Sequence, residues 1–171
     1  MRIKNALKIP PLSILLFLSF ETAAQWTQNK ASGYYKLDFT NVTAPYIINA
    51  AGNLIETPML TNNILSFYGE YGITNRLTAQ MYMPFLVHNT LAADANSPRL
   101  DLRKKQKNTA FGDVDIALKY ALTVNKPIAV SASLWIGLPT GNAENTYDLV
   151  TGDGEANQML RLDVGKGFKK K

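Results

Sequence analysis

Arg76-Leu-Thr-Ala-Gln-Met-Tyr-Met-Pro-Phe85 decides the fold, because Leu77, Ala79, Met81, Met83 and Phe85 alternate there with Arg76, Thr78, Gln80 and Tyr82. One face is apolar and the other polar. Alternation over about ten residues matches a tilted strand that crosses a bilayer, whereas strands of soluble proteins run nearer five or six. The stretch predicts a transmembrane β-barrel.

Residues 110–121 repeat the split. Gly112, Val114, Ile116, Leu118 and Tyr120 form one face, and Phe111, Asp113, Asp115, Ala117, Lys119 and Ala121 the other. A closed barrel turns its apolar face to lipid and its polar face to a wet lumen, so Asp113, Asp115 and Lys119 are expected inside. Six strands can be read in all, at 33–40, 63–71, 76–85, 110–122, 128–138 and 156–168. The same parity puts Lys36, Asp38, Glu70, Arg76, Arg161 and Asp163 in the lumen. Ile64 is an exception on the polar face, and Gln158 and Lys166 are exceptions on the apolar face of the last strand. Tyr71, Phe85, Tyr120 and Phe168 stand near strand ends, where aromatic girdles form.

The connections differ in length. Residues 72–75 and 123–126 are tight turns, whereas 41–62, 86–109 and 139–155 are long and rich in Asn, Asp, Pro and Gly. Outer-membrane barrels are built with short periplasmic turns and long outer loops, which the barrel-assembly machinery leaves on opposite sides.

Residues 1–24 read as a secretory signal peptide. Arg2, Lys4 and Lys8 precede the apolar run Leu12-Ser-Ile-Leu-Leu-Phe-Leu-Ser-Phe20, and Thr22-Ala-Ala24 supplies the small residues of a cleavage site. The run is shorter than the roughly twenty apolar residues of a spanning helix. Residues 25–171 then form the β-barrel domain. Removing Arg2, Lys4, Lys8 and Glu21 takes the formal charge from +5 to +3, and the strands carry both signs, so a nucleic-acid role is set aside. The absence of cysteine excludes disulfide scaffolds, thiolate metal sites and a lipid-modified cysteine.

Three stretches carry a family resemblance: Tyr68-Gly-Glu-Tyr-Gly-Ile-Thr-Asn-Arg-Leu77 with Met83-Pro-Phe85, Phe111-Gly-Asp-Val-Asp-Ile-Ala-Leu-Lys-Tyr120, and Gly137-Leu-Pro-Thr-Gly141 with Thr151-Gly-Asp-Gly154. In order and spacing the chain resembles the bacterial outer-membrane proteins of the MetA-pathway of phenol degradation. The resemblance implies a channel or transporter for small, aromatic or hydrophobic molecules, and it supplies no catalytic motif. Such proteins look about twice as long, and single-chain barrels have at least about eight strands. The reading is therefore of a partial barrel, truncated at its C-terminus. Two alternatives remain open: a strand seeded by Tyr46-Ile-Ile48 within 41–62, and a homo-oligomer that uses both sheet edges.

Asp113 and Asp115, two apart on one face, have the spacing of an acid/base or cation-binding pair, but solvated lumen charges that tune ion selectivity are the commoner arrangement. His88, the only histidine, opens a long loop, and nothing aligns it with Ser131 or Ser133 and an acid. Thr151-Gly-Asp-Gly-Glu155 lacks the ligand spacing of a calcium loop. Arg103-Lys-Lys-Gln-Lys107 can meet lipopolysaccharide phosphates or be a solvated loop tip. Asn41-Val-Thr43 matches a glycosylation acceptor, incidental in a bacterial protein.

The expectation is a non-enzymatic outer-membrane channel without cofactor or metal, surrounded by lipid and lipopolysaccharide, that passes a small-molecule solute by diffusion. A structural or adhesion barrel is the alternative. So is a soluble periplasmic lipocalin-like barrel, in which the same alternation is turned inside out.

Overall fold

The structure, a computed structural model, describes residues 26–48, 50–144, 147 and 149–166. The expected leader, Phe168 and the terminal lysines lie outside the described residues. Strands take up 61% of the described residues, and no α-helix occurs among them, so the fold is all-β. The strands are β1 (Gly33–Ile48), β2 (Leu54–Gly72), β3 (Leu77–Leu91), β4 (Gln106–Ala110), β5 (Val114–Ala121), β6 (Ile128–Leu138) and β7 (Asn157–Lys166).

All pairings are antiparallel, in the order β1-β2-β3-β5-β6-β7, with β4 also paired to β3. β4 and β5 are two halves of one interrupted strand. β5 covers Leu77 to Tyr82 of β3, and β4 covers Val87 to Leu91. The sheet is thus effectively six-stranded, and it curls into a half-barrel.

The expected strand at 110–122 is corrected here, since it breaks at Phe111-Gly-Asp113. Opposite the break, Pro84 and Phe85 of β3 face Ser66 of β2 where the register shifts. The Gly112 N–H donates to the Pro84 carbonyl at 2.9 Å. Gly112 is consequently buried and does not share the open face of Leu118. An extra residue also reverses the parity of β3, so that Leu86 is exposed while Val87 and Asn89 are buried.

The expected long loop at 41–62 is largely strand. β1 runs on to Ile48 and β2 begins at Leu54, leaving a short turn that contains Gly52 at φ 82°. Tyr46 and Ile48 continue β1 rather than seeding a separate strand. Pro45 stands where the register shifts between Ala44 and Tyr46, opposite the stretch of β2 that holds Pro58. Proline has no N–H to give a ladder, and a bulge asks for none.

The curl sorts the side chains. Ser66, Thr78, Gln80, Lys119, Ser131 and Ser133 are buried on the inner face, with Thr78 at 0% exposure. Leu37, Leu118, Leu134, Leu160 and Val164 stand out on the other face, with Leu160 at 80%. No second sheet or helix layer covers either face among the described residues; between the segments that cross its two ends, inner side chains are buried by crowding against one another on the concave wall.

Candidate functional site

The inner face is organised as rows across the sheet. One row runs Lys36, Tyr68, Tyr82, Asp115, Gly137 and Asn157; the next runs Tyr34, Glu70, Gln80, Ala117, Trp135 and Met159, and the one after it Thr78, Lys119, Ser133 and Arg161. Period-two alternation within each strand and an in-register ladder between strands place these residues side by side.

Glu70 is the hub of the first cluster. The Tyr68 hydroxyl donates to Glu70 Oε1, the Gln80 amide donates to Oε1 at 2.7 Å, and the Gln28 amide donates to Oε2 at 2.8 Å. Three donors on one carboxylate fix its orientation. Tyr34 meets Tyr68 edge-on, and with Lys36, Asp38, Ser66 and Tyr82 they line a cavity of about 350 Å³. Lys36 and Asp38 pair at 3.4 Å, half exposed on β1.

The second cluster joins three strands. Lys119, 2% exposed on β5, lies 3.8 Å from Asp163 on β7, whose other oxygen accepts from Arg161 Nε at 2.7 Å. Between them stand Ser131 and Ser133 of β6. Trp135, between Ala117 and Met159, has a buried indole N–H without a partner among the described residues. Arg76 is exposed in the turn before β3, away from both clusters.

Asp113 has a different setting from its expected neighbours. It sits in the break between β4 and β5, where Oδ1 accepts the Gly141 N–H and Oδ2 accepts the Asp153 N–H, both at 2.8 Å. Asp115 lies opposite Tyr82 and Gly137, on the wall below.

Residues 26–32 precede the first expected strand, yet they cross the short-turn end of the inner face. The Gln28 N–H donates to Thr78 Oγ1 at 2.8 Å, the Lys30 N–H to Asn75 Oδ1 at 3.0 Å, and Ala31 and Ser32 exchange backbone bonds with Gly72. A methyl group at Gly72 would run into the Asn29 carbonyl. Gly72→Ala is accordingly expected to cost about 1–3 kcal/mol as the segment is forced off. Faster trypsin cleavage at Lys30 reads that displacement; an unchanged rate would mean that the segment does not seat there.

Asn89, Asn108, Thr140 and Thr151 also escaped the sequence reading. The repeated Thr-Gly of Thr140-Gly141 and Thr151-Gly152 was the available signal. Thr140 Oγ1 donates to the Gly112 carbonyl at 2.8 Å, and Thr151 Oγ1 to the Phe111 carbonyl at 2.7 Å. Within the same loop, the backbone N–H of Glu155 and then the Asn157 amide hold the Asp153 carboxyl below the usual range. A depressed carboxyl stabilises the fold fully above its unfolded value, about 3.9 for Asp, and loses that contribution as pH falls through its folded value. The Glu155 amide resonance should therefore shift in acid below that range, and Asp153→Asn should abolish the shift.

The larger cavity, about 440 Å³, is a dip in the apolar face, where Gly69 and Ala79 stand among Tyr35, Phe67, Met81 and Leu118. Tyr35 and Phe67 stack over it at 6.1 Å. It offers an apolar groove and little hydrogen bonding. No protein-family model, curated protein or solved structure matches this chain.

Proposed function

We propose that these strands are the wall of an outer-membrane β-barrel that lets small molecules diffuse through its polar lumen, as the resemblance to the MetA-pathway family implies. One observation carries the reading: the burial is inverted. Leu118 is 53% exposed beside Lys119 at 2%, and the contrast repeats in β6, where Leu134 is 49% exposed beside Ser133 at 2%. In water this arrangement would expose apolar area and bury charge, two unfavourable choices at once. In lipid both choices become favourable. A lipocalin-like barrel needs the opposite sorting.

Closure requires partners for β1 and β7, the edges of the sheet among the described residues. In an even-stranded sheet these edges run antiparallel to each other. Further strands, or β1 and β7 of a second copy about an axis along the barrel, can thus continue the same pattern. Export by the leader and insertion by the assembly machinery complete the proposal. Lipid then covers the apolar face, and lipopolysaccharide lies beside Lys107, which the register sets on the outer side with Thr109 and His88. The hydrogen-bonded filling around Glu70 favours a second reading, a structural barrel that does not conduct.

Fractionation with urea and carbonate washes, followed by a gel of heated and unheated samples, tests insertion and closure together. Retention with a heat-dependent mobility shift is expected. Release as soluble protein would overturn the membrane reading, and a silent planar bilayer would replace the channel by the structural barrel.

A further inference from the structure

The loop between β6 and β7 does not extend away from the sheet. Residues 139–144 and 149–155 turn back over β5 and reach β3 and β4 on the inner face. Asn89 Nδ2 donates to the Val150 carbonyl at 2.6 Å, and Asn108 Nδ2 to the Leu149 carbonyl at 2.7 Å. Asn89 is buried, shares the face of Asn62 and accepts from its amide at 2.6 Å. Leu149 is one of the few apolar side chains buried on this side.

Asp113 holds both limbs of the loop. Its two oxygens accept from Gly141 on the outgoing limb and Asp153 on the returning limb, and the limbs bond each other through Asn142 and Thr151. Gly152 packs against that carboxylate so closely that any Cβ would overlap it. The Phe111-Gly-Asp113, Pro139-Thr-Gly141 and Thr151-Gly-Asp153 stretches thus meet in one hydrogen-bonded unit.

The charge on this loop is one-sided. Between Lys126 and Arg161 the sequence has no Lys or Arg, while Glu144, Asp153 and Glu155 are exposed on the described limbs. The basic residue nearest in register, Lys107, neighbours Asn108 in β4, so alternation turns it to the opposite face. Carboxylates lining a narrow mouth raise the local concentration of cations and repel anions.

We infer that the β6–β7 loop is a fixed constriction, latched over the outer end of the lumen by Asp113, and that its carboxylates make the passage prefer small cations over anions. The latch rests on the hydrogen bonds alone; the selectivity rests on the channel reading above. Two measurements separate them.

Amide exchange of the full chain in detergent micelles tests the latch. The Gly141 and Asp153 amides should exchange slowly, and Asp113→Ala should speed them by roughly tenfold to a hundredfold, as expected for lost bonds to a charged acceptor. Thr151→Val, which keeps the carboxylate, serves if Asp113→Ala fails to fold, and it should speed exchange at Asn142. Fast exchange at these amides in the unaltered chain would overturn the latch. Reversal potentials across planar bilayers in a potassium chloride gradient test selectivity. Potassium should be favoured, less so after Glu144→Gln with Glu155→Gln, and Asp113→Ala should raise conductance. Anion preference, or indifference to these substitutions, would overturn the selectivity. A chain that never conducts would overturn it together with the channel reading, while exchange still decides the latch.

Discussion

Leu134→Arg is expected to destabilise the inserted protein strongly. Leu134 lies mid-strand in β6 and about half exposed, in a row with Ala79, Leu118 and Leu160 on the apolar face. An arginine at the bilayer midplane costs about 2–4 kcal/mol in an outer-membrane barrel. That is a large share of the stability of a typical domain. The same substitution on a water-facing surface would change stability by no more than about 0.5 kcal/mol. Urea titration of the protein folded into lipid vesicles, read by tryptophan fluorescence, measures the difference. A midpoint equal to the unaltered protein's would mean that the apolar face meets water or another chain.

Asp163→Ala tests the inner face with nearly as large an effect. It removes the β7 carboxylate near the buried Lys119 ammonium and frees Arg161 from its bond at 2.7 Å. Breaking a buried pair by deleting one partner costs about 3–5 kcal/mol. The lower end applies, because Glu70 still acts on Lys119 and the pair is 3.8 Å apart. Removing both charges tells a different story. Lys119→Met with Asp163→Leu leaves neither buried member of the pair charged and only Arg161, half in solvent, without its carboxylate, so most of the lost stability should return. A double variant as unstable as Asp163→Ala would show that the loss comes from β7 packing. Arg161 in turn should tolerate Arg161→Gln with little change, since it is nearly half exposed.

Strand positions were legible where alternation was unbroken and bounded by turn residues. Strand β6 spans Ile128–Leu138, as read from its alternation between the turn at 123–126 and Pro139. β7 starts at Asn157, one residue after the expected start, and the expected end at Phe168 lies outside the described residues. The first hairpin was misread because Pro45, Pro58 and the Asn and Thr residues around them carry the composition of a loop. Their backbone nevertheless pairs on both sides of an irregularity that suits proline. The strand at 110–122 looked continuous because its alternation persists through Phe111-Gly-Asp113. Only the bulge at Pro84 and Phe85 in the neighbouring strand breaks it.

The candidate site divides along the same line. That Lys36, Glu70, Asp115, Lys119, Arg161 and Asp163 belong to one face follows from parity, which is local. That Asp113 acts as a loop anchor could not follow from parity, because its partners lie 28 and 40 residues away. The same holds for Gln28, which reaches Glu70 across 42 residues. Period-two patterning is a property of one strand, set by the geometry of successive Cβ atoms, and the sequence carries it in full. Which strands adjoin, where a bulge reverses a face, and which loop folds inward depend on contacts between distant segments. Their free energy appears only when the sheet has curled and brought those segments together, so the tertiary structure alone decided them.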